Sequence, residues 1–243
     1  MKKLSAIAVI LFSTFAAMGQ SSTSQSNNNG AKFKGGVMIN PFVSWGQPNT
    51  DDPTKNKVES TVPSLGFGYG LVGDFFFNNN YGINANLRVT SFNTQFRYTP
   101  EIKSSYAIDR TLKLQYVELP ITLKMRTNEI GYFRYFAQFG IMPAVKLAAR
   151  GDIDTLLNNT VMHSVKDLNI TNDVNIFMLY SVIGLGAEYN LGGSTSIIGS
   201  ITWNNGFTNV WNKNTDDRSV NPPVYSNFNS PVSNIALNLG VEF

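Results

Sequence analysis

The chain has 243 residues, no cysteine and one histidine, with 19 lysines and arginines against 16 aspartates and glutamates for a net charge of +3. The missing cysteines exclude a disulfide framework, thiolate metal sites and a lipid-modified cysteine, and the small net charge excludes the basic footprint of a nucleic-acid partner. Charged residues make up only 14% of the chain, against about 25% in a soluble domain.

The first segment, "MKKLSAIAVILFSTFAAMGQ", has a charged start at Lys2 and Lys3 and an apolar run from Leu4 to Ala17. Ala17 and Gly19 are small residues suited to cleavage before Gln20, so residues 1–19 read as an export signal; the run is too short for a membrane helix. Loss of Lys2 and Lys3 lowers the net charge to +1 (19 − 2 − 16). Residues 20–32 are polar and of low complexity, and read as a flexible segment. No later run of 18 apolar residues exists, which argues against helical spans. Low charge without such spans fits a transmembrane β-barrel, whose signal per segment is weak.

Eight alternating segments follow over residues 33–243. Phe33–Trp45 places Val37, Ile39, Val43 and Trp45 on one face. Ser64–Phe77 alternates Leu65, Phe67, Tyr69, Leu71, Phe75 and Phe77 with Gly66, Gly68, Gly70 and Asp74. Tyr81–Phe92 sets Ile83, Ala85, Leu87 and Val89 against Asn84, Asn86 and Arg88, and Leu112–Met125 sets Val117, Leu119, Ile121 and Leu123 against Glu118, Thr122 and Lys124. Phe133 to about Arg150 opposes Phe139 and Ile141 to Arg134 and Gln138; Val174–Tyr189 opposes Ile183 and Leu185 to Glu188. Ser194–Asn204 carries Ile197, Ile201 and Trp203, and the last segment, "NIALNLGVEF", carries Ile235, Leu237, Leu239, Val241 and Phe243 on every second position. A period of two with one apolar face is the mark of a strand. Pro41, Pro120 and Pro143 fall inside these patterns, where each should mark a bulge or a locally broken ladder.

Short links (Asn78–Asn80, "RTNEIGY", "NLGG") alternate with long ones at Gln47–Pro63, Asn93–Thr111, Gly151–Asp173 and Asn205–Ser230. Outer-membrane barrels have an even strand number, short periplasmic turns and longer extracellular loops. The expected fold is therefore a closed eight-stranded antiparallel up-and-down transmembrane β-barrel, with both termini in the periplasm. Phe75, Phe77, Tyr81, Phe133, Tyr135, Tyr189 and Phe243 fall at the periplasmic ends and Trp45, Phe177 and Trp203 near the other, as two aromatic girdles would. A soluble sandwich would turn its apolar residues inward, and the opposite face here is Gly, Asn, Arg, Lys and Glu. The inward Arg88, Glu118, Lys124, Arg134, Gln138, Glu188 and Glu242 should form a paired polar plug, since unpaired buried charge is too expensive. Arg88 and Glu118 sit at similar height on neighbouring strands and should pair, with Lys124 or Arg134 competing for Glu118.

Bacterial outer-membrane barrels commonly end in an alternating strand with a terminal Phe, read by the barrel-assembly machinery; "ALNLGVEF" resembles that signal in Leu239, Val241 and Phe243. "LQYVELPITLKMR" (Leu114 to Arg126) and "YFRYFAQFGIMPAVKL" (Tyr132 to Leu147) resemble the PorT-like outer-membrane β-barrel family of Bacteroidetes, at Tyr116, Glu118, Pro120, Lys124, Gly140 and Pro143. That resemblance implies an eight-stranded outer-membrane barrel and no single activity.

Little chemistry is legible. His163 stands in the link "NTVMHSVKDLN" beside Ser164, without a partner set for a triad or a metal, so no enzyme activity, cofactor or metal is expected. "GFGYG" lies on a strand, where glycine leaves room in a narrow barrel. Asn49–Thr54 and Asn212–Asp217 lack the ligand order of a calcium loop. Asp154–Leu156 resembles an O-glycosylation acceptor centred on Thr155. Eight strands leave an interior just wide enough for side chains. The expected role is thus structural: docking of other envelope proteins through loops or barrel wall in the lipid of the outer membrane. The alternative is a small channel or a transport or secretion accessory.

Overall fold

The computed structural model describes residues 32–50, 56–60, 62–100, 105–212 and 228–243. The expected export signal over 1–19, nearly all of segment 20–32 and most of both Asn/Asp-rich runs lie outside them. Eight long strands form the wall: β1 (Lys32–Gly46), β2 (Ser64–Phe76), β3 (Tyr81–Pro100), β4 (Tyr106–Glu118 continued by Ile121–Arg126), β5 (Phe133–Leu157), β6 (Phe177–Gly192), β7 (Thr195–Gly206) and β8 (Val232–Glu242). Each pairs antiparallel with the next. β8 returns to β1 through Gly36↔Glu242 to Gly46↔Val232, and Gly35 and Phe243 exchange backbone hydrogen bonds. The sheet is closed and has no edge within the wall.

Register sets the geometry. A walk through successive pair partners leaves β5 at Val145 and passes Val117, Val89, Tyr69, Ile39, Leu239, Gly199 and Ala187. It returns to β5 at Tyr135, ten residues from its start (145 − 135). A stagger of ten on eight strands corresponds to a tilt of about 40°. Ten residues at ~3.3 Å each, so inclined, rise about 25 Å, the height of a bilayer-spanning apolar band.

Outward positions fill that height with apolar side chains. Leu65, Phe67, Leu119, Ile121, Phe139, Leu185, Ile201 and Leu237 are all exposed. The rim that carries the start of β1 and the end of β8, here the near mouth, is ringed by exposed Phe75, Phe77, Tyr81, Phe133, Tyr135, Tyr189 and Phe243. Phe133 lies 4.9 Å from Tyr189 between ring centroids. Trp203 and Phe177 are exposed toward the far mouth, with Trp45 half-buried.

The prolines behave differently from one another. At Leu119–Pro120 β4 is interrupted, yet the flanking pairs Arg88↔Glu118 and Ala85↔Ile121 keep step. Pro41 and Pro143 stay paired on one side, opposite Phe67 and Leu179, while on the other side the ladder is locally broken at each, between Ile39↔Leu239 and Phe42↔Ala236 and between Glu118↔Ala144 and Ile121↔Ile141. None shifts the register; the register shift on β4 falls between Gln115 and Tyr116.

The long links depart most from expectation. Asn93–Thr111 is not a loop: β3 runs on to Pro100 and β4 starts again at Tyr106, paired as far as Tyr98↔Ile108. Likewise β5 continues to Leu157 and turns at Asn158–Asn159 into a strand over Thr160–Asn169. Both turn residues have positive φ, 51° and 62°, as a two-residue hairpin turn twisting with its strands requires. Asn56–Ser60 pairs with the far end of β3. The result is a five-stranded sheet standing beyond the far mouth, hereafter the extension.

Candidate functional site

A barrel can act through its lumen, through its wall or through what it holds above its rim. The lumen is filled in three layers. At the near mouth, Lys124 on β4 bonds Asp74 on β2 at 2.5 Å and Glu188 on β6 at 2.6 Å. Arg126 reaches Glu188 at 3.3 Å, and Asn84 donates to Asp74 at 2.6 Å. The ammonium of Lys124 also lies 4.3 Å from the ring centre of Phe136, and the Arg126 guanidinium covers Phe76 at 3.4 Å. Asp74, Lys124, Glu188 and Glu242 are all 2% exposed or less, so the base of the lumen is dry ionic packing and not a wet vestibule.

The middle layer is uncharged and polar. Asn40 donates to Asn238 at 2.5 Å, and Asn238 donates to Ser200 and Thr202 at 3.1 Å each. Asn204 donates to Asn234 at 2.6 Å. The space left beside these groups, bounded by Asn86, Arg88, Thr122 and Lys124, is about 20 Å³, room for one or two waters.

Above it Arg88 and Glu118 stand directly opposite on β3 and β4. The Arg88 Nε donates to Glu118 at 2.6 Å, and Thr90 donates to the other carboxylate oxygen at 3.0 Å. The far mouth is then closed by apolar side chains: Phe42, Phe92, Tyr116, Met142, Met178 and Tyr180 are buried together. Phe92 packs on Phe42 at 5.8 Å and on Tyr116 at 6.1 Å. Gly66 makes this possible, because a Cβ there would lie 2.3 Å from the Phe42 ring. The same core continues upward into the extension through Phe96, Ile108, Leu112, Val210 and Trp211.

The seven expected lumen residues divide. Arg88 with Glu118, and Lys124 with Glu188, are brought together; Lys124 takes Asp74 and Glu188 and leaves Glu118 to Arg88. Gln138 is buried, beside Gly184. Arg134 is not part of the plug: it bonds Glu129 of the near-mouth turn at 2.6 Å, with both side chains about a third exposed. Glu242 is fully buried, but neither carboxylate oxygen has a hydrogen-bond partner, so the plug is not fully paired. Sequence reasoning passed over Asp74, although its place among the Gly positions of β2 marked it as inward. It also passed over the apolar plug, because Phe92, Phe96 and Tyr98 carry on the inward period after the outward residues turn polar.

The extension has the surface of a water-soluble sheet. Arg97 grips Asp109 with two bonds of 2.6 and 2.7 Å. Lys113 bonds Asp152 at 2.8 Å, and Arg150 bonds Asp167 at 2.5 Å. Lys166 and Ser164 donate to Asp154 and hold its pKa below the usual carboxylate range. His163 is on the outer strand, opposite Thr155, and not in a loop. Its neighbour Ser164 is bound to Asp154, with no imidazole between them. Thr155 itself is half-buried in a paired strand. Leu157, Val161 and Met162 are exposed around the hairpin turn.

A family described as "outer membrane protein beta-barrel domain" matches residues 18–241. No curated protein matches the chain. Among solved structures, OprG from Pseudomonas aeruginosa is similar at a TM-score of 0.45 and 12% identity, over 90% of this chain and 98% of that one. Neisserial surface protein A is similar at 0.41 and 12%, over 88% and 99%. Ail, the attachment invasion locus protein of Yersinia pestis, is similar at 0.35 and 14%, over 87% and 99%.

Proposed function

From the premise that this chain belongs to the outer membrane protein β-barrel domain family, matched over residues 18–241, we propose that it is a closed barrel that serves as a platform. In this reading residues 1–19 are removed on export, both termini face the periplasm, and the extension stands outside the cell and docks other envelope proteins. The terminal Leu239, Val241 and Phe243 present the strand to the barrel-assembly machinery. On the motif around Tyr116, Glu118 and Pro120 it resembles the PorT-like barrels. It performs no catalysis and takes no cofactor.

One observation carries this reading. The lumen is shut twice, by ion pairs at one mouth and by an apolar core at the other, while a paired sheet is held beyond the wall. A pore needs a continuous wet path; a platform needs a stiff stalk. The same apolar residues that close the far mouth, Phe92 and Tyr116 among them, root the extension in the barrel, so closure and display are one structural feature.

Planar-bilayer recording on pure protein tests it. The expected result is a quiet membrane. Large, ion-selective single-channel steps would overturn the platform and promote the channel or transport alternative. In parallel, replacing residues 151–169 by a short turn should abolish co-purification of envelope partners from detergent extracts while leaving the barrel folded. Partners retained by the shortened protein would move the docking surface to the barrel wall.

A further inference from the structure

Glu242 is the carboxylate of the near-mouth cluster that no neighbouring side chain hydrogen-bonds. The cluster is built as a ring: β2, β6 and β8 each send in one carboxylate, Asp74, Glu188 and Glu242, and β4 sends in Lys124 and Arg126. Oxygens of the three carboxylates lie within 4.8 Å of one another. The Lys124 ammonium is bound to Asp74 and Glu188, and Arg126 adds a longer contact to Glu188. Three negative charges thus meet two positive ones. Both oxygens of Glu242 lack a hydrogen-bond partner, and the residue is 0% exposed. The nearest further cation, Lys34, donates to Ser196 at 3.0 Å and is only partly buried. An uncompensated carboxylate in a dry site is among the most expensive things a fold can hold, and here it is aimed into a group of oxygens.

We propose that this ring binds one small monovalent cation from solution, held by Glu242 together with the oxygens of Asp74 and Glu188 that face it. The assignment follows from charge and donor type. Carboxylate oxygens are hard ligands suited to hard cations, and a spread of up to 4.8 Å is about twice the 2.3–2.6 Å metal–oxygen distance of a calcium-sized ion; sodium is of similar size. A single positive charge brings the group of three carboxylates, Lys124 and Arg126 to neutrality; a divalent ion overshoots it. The cation enters from the near mouth, since the far mouth is closed by the apolar core. Bound there, it ties β8, the last strand of the chain, to β2 and β6 across the lumen, and so acts as a clasp at the base of the barrel.

The test uses the full mature chain refolded in detergent micelles, with thermal unfolding followed at constant ionic strength as choline is exchanged for Na⁺ or K⁺. The wild-type midpoint should rise with the logarithm of the small-cation concentration once that exceeds the dissociation constant. Glu242→Gln removes the unpaired charge but keeps the shape. Its midpoint should be independent of the cation, and in choline it should equal or exceed that of the wild type. Lys34→Gln should retain the wild-type cation response. A wild-type midpoint indifferent to Na⁺ and K⁺ overturns the proposal, whether or not either variant refolds. So does a response to Ca²⁺ alone. An infrared carbonyl band of a protonated carboxyl at neutral pH, present in wild type and absent in Glu242→Gln, also overturns it, by assigning a proton to the place of the cation.

Discussion

β3 passes through two environments without changing its stride. From Gly82 to Tyr98 the even positions point inward and the odd ones outward. Below the far mouth the inward residues are Asn84, Asn86, Arg88 and Thr90, and the outward ones Ile83, Leu87 and Val89. Above it the inward residues are Phe92, Phe96 and Tyr98, with Thr94 the one polar member, and the outward ones Ser91, Asn93, Gln95 and Arg97. β4 makes the same exchange between Val117 and Gln115. Parity is backbone geometry and does not care about solvent. Polarity follows what each face touches: lipid outside and a polar lumen inside in one half, water outside and an apolar core in the other. The barrel half is therefore an inverted protein and the extension a conventional one, on the same strands.

That contrast can be tested where the two interiors are most unlike. Arg88→Ala leaves Glu118 buried without its partner and should cost about 3–5 kcal/mol; Phe96→Ala opens a void in the extension core and should cost a similar ~3–5 kcal/mol. The two losses should fall in different places. Trp211, whose ring lies 6.0 Å from Phe96, should report an early transition in Phe96→Ala when Trp45 and Trp203 are replaced by Phe. In Arg88→Ala the wall should weaken. Simultaneous loss of both regions in each variant would show that they fold as one unit.

The outward faces give a smaller effect. Leu119→Arg places a charge in the lipid-facing band and should cost about 2–4 kcal/mol in vesicles. Asn93→Arg occupies the same face of a neighbouring strand beyond the band and should stay within about 0.5 kcal/mol. Equal costs would mean that the band does not meet lipid at Leu119, or that the extension does not meet water at Asn93.

The smallest expected effect is confined to the extension. The Asp154 carboxylate is held below its usual pKa by Lys166 and Ser164. A depressed folded pKa means that the carboxylate contributes stability above about pH 4, and that this is lost as the pH falls through the lower folded value. Amide exchange over Thr160–Asn169, corrected for the intrinsic pH dependence, should lose protection at pH 3 relative to pH 6. Barrel amides around Val89 should not. Because the pair is exposed, the change should be slight.

How far the sequence reached depended on how local each contact is. The outward rows, the aromatic rim and the up-and-down order follow from a period of two and from turn spacing, both of which are written along the chain. Arg88 opposite Glu118 was within reach as well, because the two strands are neighbours and their heights could be counted from either end. The extension was in the letters too, as Phe92, Phe96 and Tyr98 alternating with Asn93, Gln95 and Arg97, but with the polarity reversed from that of a lipid-facing strand. Read for lipid, it looks like a loop. What only the tertiary structure decided lies across the lumen. Lys124 meets Asp74 and Glu188, and Glu242 is buried beside them without a hydrogen-bond partner. These strands are not neighbours, and which of their residues share a height depends on the ten-residue stagger at which the sheet closes. That stagger is a sum of eight pairings, and closure imposes it on the ring as a whole.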